Sequence, residues 1–426
     1  MKTTISAAVR NTVAPTTALA LLFSCPIPGY AAAPNFQAFL FSACENAAGE
    51  LGRRCNESIN GDLSGDSEDS LNPTQNLSFN AMAIDETRAR INALQSKLRQ
   101  EREQGPEGHL ADEEQSAEQS AMRVFRLTGT SGLIQGEFSE LDRSASENER
   151  GYQSDTNKLQ VGFDYRLADN WLIGAMLSLE EAETTFDADS IGVNFEPAST
   201  DGSSDADSVS LTIFTNKYLT SNIYIESLAS YGVSEYTFKR RGIFQESTRD
   251  LSFNRAVTTS ANADGYQLAL SAGLGLDSSL GPLAVNYYIN LNHQKSSIDS
   301  YNEKGGQGFG MAVDKVDSQY TIGTLGARFS MPFNTQAGVW VPKVFLEVEQ
   351  VLDDDQVQTT SRFLEDQSGT ALNLTGDKID KTRWRTGFSL LTVQPNGWMG
   401  FISFSSVQGD SLKDEHSIQA GLRVEF

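Results

Sequence analysis

The chain has 426 residues, and Asp plus Glu outnumber Lys plus Arg by 56 to 33, for a formal charge of −23 at pH 7. That balance excludes a nucleic-acid partner, because phosphate binding needs basic patches. No apolar run beyond the N-terminus approaches the roughly 18 residues of a membrane helix, which leaves open a membrane β-barrel, whose strands are only half apolar.

Residues 1–31 read as an export signal. Lys2 and Arg10 supply positive charge, Val13 to Phe23 form a short apolar stretch, and Gly29-Tyr30-Ala31 offers a cleavage window ahead of Pro34. Cys25 follows Leu22-Phe23-Ser24, in which Phe23 is too bulky for a lipoprotein site. Residues 32–80 form a short polar segment in which Cys44 and Cys55 stand close together in an oxidising compartment, so a disulfide is their expected state. Asp62, Asp66, Glu68 and Asp69 do not follow the order of a calcium loop and read as a solvated acidic stretch.

Residues 81–130 form a helical linker. Ala81 to Gln104 carries Ile84, Ile91, Leu94 and Leu98 on one stripe and stops at Gly105-Pro106. A second candidate helix, Leu110 to Leu127, is acidic through Asp112, Glu113, Glu114 and Glu118.

From residue 131 to 426 the pattern changes to period 2, and twelve strands are expected. They lie near Gly132–Leu141, Lys158–Leu167, Trp171–Leu179, Ser208–Leu219, Asn222–Gly232, Tyr266–Leu276, Leu283–Asn292, Ser318–Met331, Gly338–Gln350, Thr382–Val393, Trp398–Ser406 and His416–Phe426. Tight links such as Ala168–Asn170, Thr220–Ser221 and Gln394–Gly397 alternate with long polar ones at Glu181–Asp207, Val233–Ala263, Gln294–Asp317 and Leu352–Lys381. Alternating short and long links belong to an up-and-down barrel with periplasmic turns and external loops. Unpaired backbone groups cost several kcal/mol in hydrocarbon, so the first and last strands are expected to close the ring.

The expected fold is an all-β membrane protein, a twelve-stranded antiparallel transmembrane barrel with an N-terminal helical segment plugging its lumen; the acidic helix 110–127 suits that place. Lys158, Asp164, Arg166, Arg383, Arg385, Arg423 and Glu425 are assigned to the lumen. Tyr165, Trp171, Tyr218, Phe329, Trp340 and Trp398 fall at one depth and read as an interfacial aromatic girdle. The last strand sets Ile418, Ala420, Leu422, Val424 and Phe426 on its apolar face.

Gly162-Phe163-Asp164-Tyr165-Arg166-Leu167, Asp169-Asn170, Ile173-Gly174, Val341-Pro342, Asn396-Gly397 and the ending Gly421 to Phe426 together resemble the β-barrel translocator domain of autotransporters, the type V secretion proteins of Gram-negative bacteria. The resemblance implies a helix threaded through the pore, a passenger carried to the cell surface, and insertion by the outer-membrane assembly machinery, which reads the terminal strand to Phe426. Passengers of that family are commonly long repetitive β-helices, whereas here fewer than a hundred residues precede the linker, with no repeat.

The sequence therefore reads as an outer-membrane anchor and translocator for a short N-terminal segment. A gated pore with a periplasmic N-terminus and an adhesive barrel using its acidic loops are the alternatives. Outer-membrane lipid and lipopolysaccharide, periplasmic chaperones and the assembly machinery are the expected partners, and the chain is expected to be a monomer. No cofactor, metal site or enzyme activity is expected. Gly409-Asp410-Ser411-Leu412 spells a lipase nucleophile motif with Asp414 and His416 following, yet a short loop entering a strand offers neither pocket nor oxyanion hole. His109 and His293 have no ligand spacing.

Overall fold

A computed structural model of the chain describes residues 36–57, 71–78, 88, 130–146, 148–187, 202–248, 251–336, 338–378, 380–395 and 397–425. The expected signal at 1–31, the acidic stretch at 58–70 and, but for Arg88, the expected linker helices lie outside the described residues. Two short helices, α1 (Phe36–Glu45) and α2 (Gly49–Glu57), precede the strands. Cys44 and Cys55 form a disulfide that joins them.

Twelve long strands follow: β1 (Thr130–Arg143), β2 (Tyr152–Ala168), β3 (Trp171–Phe186), β4 (Gly202–Tyr218), β5 (Ile223–Thr248), β6 (Leu251–Leu280), β7 (Leu283–Ile298), β8 (Val316–Ser330), β9 (Gly338–Asp354), β10 (Thr382–Val393), β11 (Trp398–Gln408) and β12 (Lys413–Glu425). Each pairs antiparallel with its neighbours in sequence. β1 pairs with β12 from Ser131↔Glu425 to Arg143↔Lys413, so the sheet is a closed ring and no edge is left to solvate. At the end with the longer connections, Tyr301–Asn302, Met311–Val313, Gln358–Phe363 and Leu372–Thr375 form a small second sheet.

Strand number and closure agree with the sequence reading, but strand length does not. β5 and β6 run 26 and 30 residues, and only residues 249–250 separate them. The expected loop at Val233–Ala263 is therefore mostly a hairpin. The reason is a reversal of phase along the strands. On β3, Trp171, Ile173, Leu177 and Leu179 point outward and are exposed, while Ser178 and Glu180 point inward. Further along the same strand Glu181 and Glu183 point outward, and Ala182 and Phe186 are buried inside. β4 and β5 reverse at the same depth, with Asp205, Asp207 and Glu235 outside and Ala206, Tyr236 and Phe238 inside. The barrel thus has two zones. The short-turn half is apolar outside and polar inside, and the long-loop half has the apolar interior of a water-soluble protein.

Inside the short-turn half, aromatic rings stand against glycines on the next strand. Tyr224 faces Gly275, Tyr288 faces Gly326, Phe345 faces Gly387 and Phe401 faces Gly421. A Cβ on any of these glycines would enter the ring opposite, so each aromatic fills space that glycine alone leaves free.

Candidate functional site: the lumen and its outer mouth

At the depth of the short-turn half, the inner wall is a set of fixed, paired charges. Lys158 is buried between Glu180 at 3.3 Å and Glu137 at 3.6 Å. Arg423 donates to Ser131 at 2.9 Å and to Asp164 at 3.1 Å, and the Ser131 hydroxyl donates to the same carboxylate at 2.5 Å. Arg385 pairs with Glu347 and reaches Glu349 at 3.7 Å; Glu349 also takes Arg383 at 3.3 Å. Breaking any such buried pair leaves a charge that costs several kcal/mol, so the pairs hold the wall in one arrangement. The acidic partners Glu137, Glu180, Glu347 and Glu349 were not singled out from sequence, although on β9 the alternation with buried Phe345 places two of them inward. Arg166 is half-buried at the short-turn rim, beside a bulge between Arg166 and Ala168. The side chain of Glu425 lies outside the described residues.

On the outer face Tyr165, Trp171, Phe329 and Trp398 are exposed and Trp340 is half-buried, all toward the short-turn ends of their strands. The Trp171 indole donates to Thr215 at 2.9 Å and carries the Lys217 ammonium 4.5 Å above its ring. Tyr218 does not belong with them. It shares the inward parity of Phe214 and Asn216, donates to Asp277 at 2.6 Å and lies 5.7 Å from the buried Tyr224 ring. Half-buried Lys217 and exposed Leu219 flank it. On β12, Ile418, Ala420 and Leu422 are exposed and Val424 is half-buried, whereas Phe426 lies outside the described residues.

The lipase-like stretch is dispersed. The Ser411 backbone N–H donates to Asp380 at 2.5 Å, Asp410 faces Arg383 at 4.0 Å, and His416 stacks on Phe404. Among the described residues no three His, Cys, Asp or Glu side chains converge as metal ligands.

The long-loop end holds the second part of the site. Residues 71–78 are buried throughout their length inside the ring. The Arg240 guanidinium donates to the Leu71 carbonyl at 3.4 Å, Tyr301 donates to Asn76 at 3.3 Å, and Ser78 donates to Glu149 at 3.4 Å. Above them α1 and α2 pack on the loops. Phe39 stacks on Phe363 at 5.1 Å, and the Arg54 guanidinium lies 4.6 Å over Phe244. These helices share one hydrophobic core with the inward residues of the long-loop half, Phe186, Phe238 and Ile298 among them. Arg88 is also buried and pairs with Glu415, which lies near the long-loop end of β12.

A family model described as the autotransporter beta-domain matches residues 133–405. The chain belongs to that family. Among solved structures, the chain is similar to the translocator domain of autotransporter NalP from Neisseria meningitidis, with 16% identity, a TM-score of 0.56, and cover of 80% of this chain and 98% of that one. The β domain of the Bordetella autotransporter BrkA is a further match, with 15% identity, a TM-score of 0.47, and cover of 70% of this chain and 100% of that one. At these identities the likeness is one of fold. No curated protein matches the sequence. As an autotransporter barrel the chain resides in the outer membrane of a Gram-negative cell, so the short-turn half is the membrane zone, with the turns periplasmic and the long-loop half outside.

Proposed function

We propose that this autotransporter barrel carries its own N-terminal segment to the cell surface and remains as its anchor. One observation supports the reading above the rest. Residues 36–57 and 71–78 lie at the external end, while β1 begins at Thr130, opposite Tyr165, at the periplasmic end. The chain between Arg88 and Thr130 has to join the two ends of a ring closed by β1 and β12, and the lumen is the direct path. The charged wall suits such an occupant, since Arg88 already pairs with a wall carboxylate. An open pore is less well supported, because residues 71–78 are buried among the inward residues of the long-loop half. In the same reading β12, with Ile418, Ala420, Leu422 and Val424 outward, is the strand that the outer-membrane assembly machinery recognises after chaperoned passage through the periplasm. Lipid and lipopolysaccharide surround the barrel.

Phe41 is exposed on α1 and supplies the test. A Phe41→Cys variant should be labelled by a membrane-impermeant maleimide on intact cells. Labelling only after the outer membrane is opened would refute export.

A further inference from the structure

Resting on the export reading, we infer that the N-terminal segment is not a releasable cargo: it is a fixed cap that covers the barrel's outer mouth and stays bound when its covalent tether is cut. The loops are built to receive it. Main-chain bonds run from the Ala48 N–H to the Glu365 carbonyl at 2.9 Å and from the Gln367 N–H to the Asn46 carbonyl at 3.2 Å, and Ala47 bridges Asp366. The α2 backbone N–H of Leu51 donates to the Glu365 carboxylate at 2.8 Å. On the opposite side Gly308, at φ +101°, passes so close that a Cβ there would strike the Leu51 backbone. Its neighbour Gln307 holds a left-handed φ of 49° and accepts a hydrogen bond from Arg54 at 2.9 Å. A non-glycine residue in the left-handed region is uncommon, and here it aims an acceptor at α2.

The apolar side chains point the same way. Phe244, Phe309 and Phe363 sit on segments that a free surface loop would leave wet, and all three are buried. α1, α2 and residues 71–78 join that core through Phe36, Phe39, Leu40, Leu51, Leu71 and Leu77. A cargo meant to leave would carry its own core, whereas this segment shares its core with the barrel. Residues 71–78 are moreover buried among the inward residues of the long-loop half, so the cap lies over the lumen on that side.

The test inserts a tobacco-etch-virus protease sequence with Gly-Ser flanks after Gly65 in the full chain, with cutting of the detergent-purified folded protein as the control for access. Protease added to intact cells should cut the insert, and the fragment bearing Cys44 and Cys55 should stay with the cells and co-purify with the barrel in mild detergent, coming free only on denaturation. Fragment in the medium after cutting would overturn the inference and leave export standing. Cutting confined to opened cells would overturn export and the cap together. A Phe39→Asp/Leu51→Asp chain places charge in the shared core and should weaken retention by at least about a hundredfold. Heat-modifiable migration of that variant shows that its barrel has formed.

Discussion

Glu303→Gln isolates the clamp that holds the cap from the barrel side. The Arg240 and Glu303 side chains are only 3% and 4% exposed, and the guanidinium meets the carboxylate through two bonds, Nε to Oε1 at 2.8 Å and an Nη to Oε2 at 2.6 Å. The same carboxylate accepts the Met311 N–H at 2.9 Å, and Arg240 also donates to the Phe309 carbonyl at 2.8 Å. Burial disfavours the charged guanidinium, but Glu303 outweighs it and holds the arginine's pKa above its ordinary value. Glutamine keeps the volume, removes the negative charge and turns an NH2 donor toward a donor. Removing one partner of a buried pair costs about 3 to 5 kcal/mol, so the external domain should open roughly a hundredfold or more often. Limited proteolysis of purified protein should show faster loss of residues 36–78, with the membrane zone still migrating as a folded barrel. An Arg240→Leu/Glu303→Leu pair should recover much of the resistance, because replacing both charges by apolar groups is often neutral. Digestion of Glu303→Gln at the parental rate, or a pair variant weaker than the single, would refute the assignment.

Gly326→Val drives a side chain into the Tyr288 ring opposite, and overpacking of this kind costs about 1 to 3 kcal/mol; urea unfolding in vesicles should register it. Ile213, exposed at mid-depth on β4, should tolerate Arg poorly, at about 2 to 4 kcal/mol near the bilayer midplane. Glu183→Arg, one zone higher between Asp155 and Asp205, should cost nothing or stabilise, and an equal penalty at both sites would refute the two-zone description. Burial alone would raise the Asp366 pKa, but hydrogen bonds from Ser368 and Thr370 prevail and hold the carboxyl below its ordinary range. Its stabilising effect is therefore present above about pH 4, the unfolded value, and is lost as pH falls through the folded one. Protease resistance of the external domain should decline over that acid window, and Asp366→Asn should flatten the decline.

The membrane zone was legible because period-2 alternation with one apolar face is a local signal. β10 runs from Thr382 to Val393 as the sequence indicates, and the closing pair β1 and β12 follows from the cost of an open edge. The external zone was hidden by its phase. Alternation persists past Leu179 and Gly232, but Glu181, Asp207 and Glu235 now occupy the outward rows, so a reader tracking apolar residues ends the strand there. Tyr218 misled for a related reason, since an aromatic at the right depth says nothing of which face carries it until parity is fixed by Leu211 and Ile213. The place of the N-terminal segment carried no local signal at all. Leu51 meets Glu365, and Arg54 meets Gln307, across more than half the chain. The one hint was apolar, Phe309 and Phe363 in otherwise polar links.

The phase reversal also binds export to assembly. Glu181, Asp207, Glu235 and Asp264 stand directly opposite one another on successive strands, an arrangement that like charges disfavour and that water and counterions must screen. A surface so charged does not favour closure of the external zone, and an empty ring would leave Phe186, Tyr236, Phe238 and Ile298 facing a wet lumen. Each such side chain gains about 1.5 to 3 kcal/mol when it is covered, and among the described residues α1, α2 and residues 71–78 share that cover with the barrel's own Tyr301, Phe309, Met311 and Phe363. The membrane zone can form on its paired charges and its lipid face alone. The external zone closes its apolar core on the segment as well as on its own loops, so on the export reading its packing is complete only once the segment has arrived.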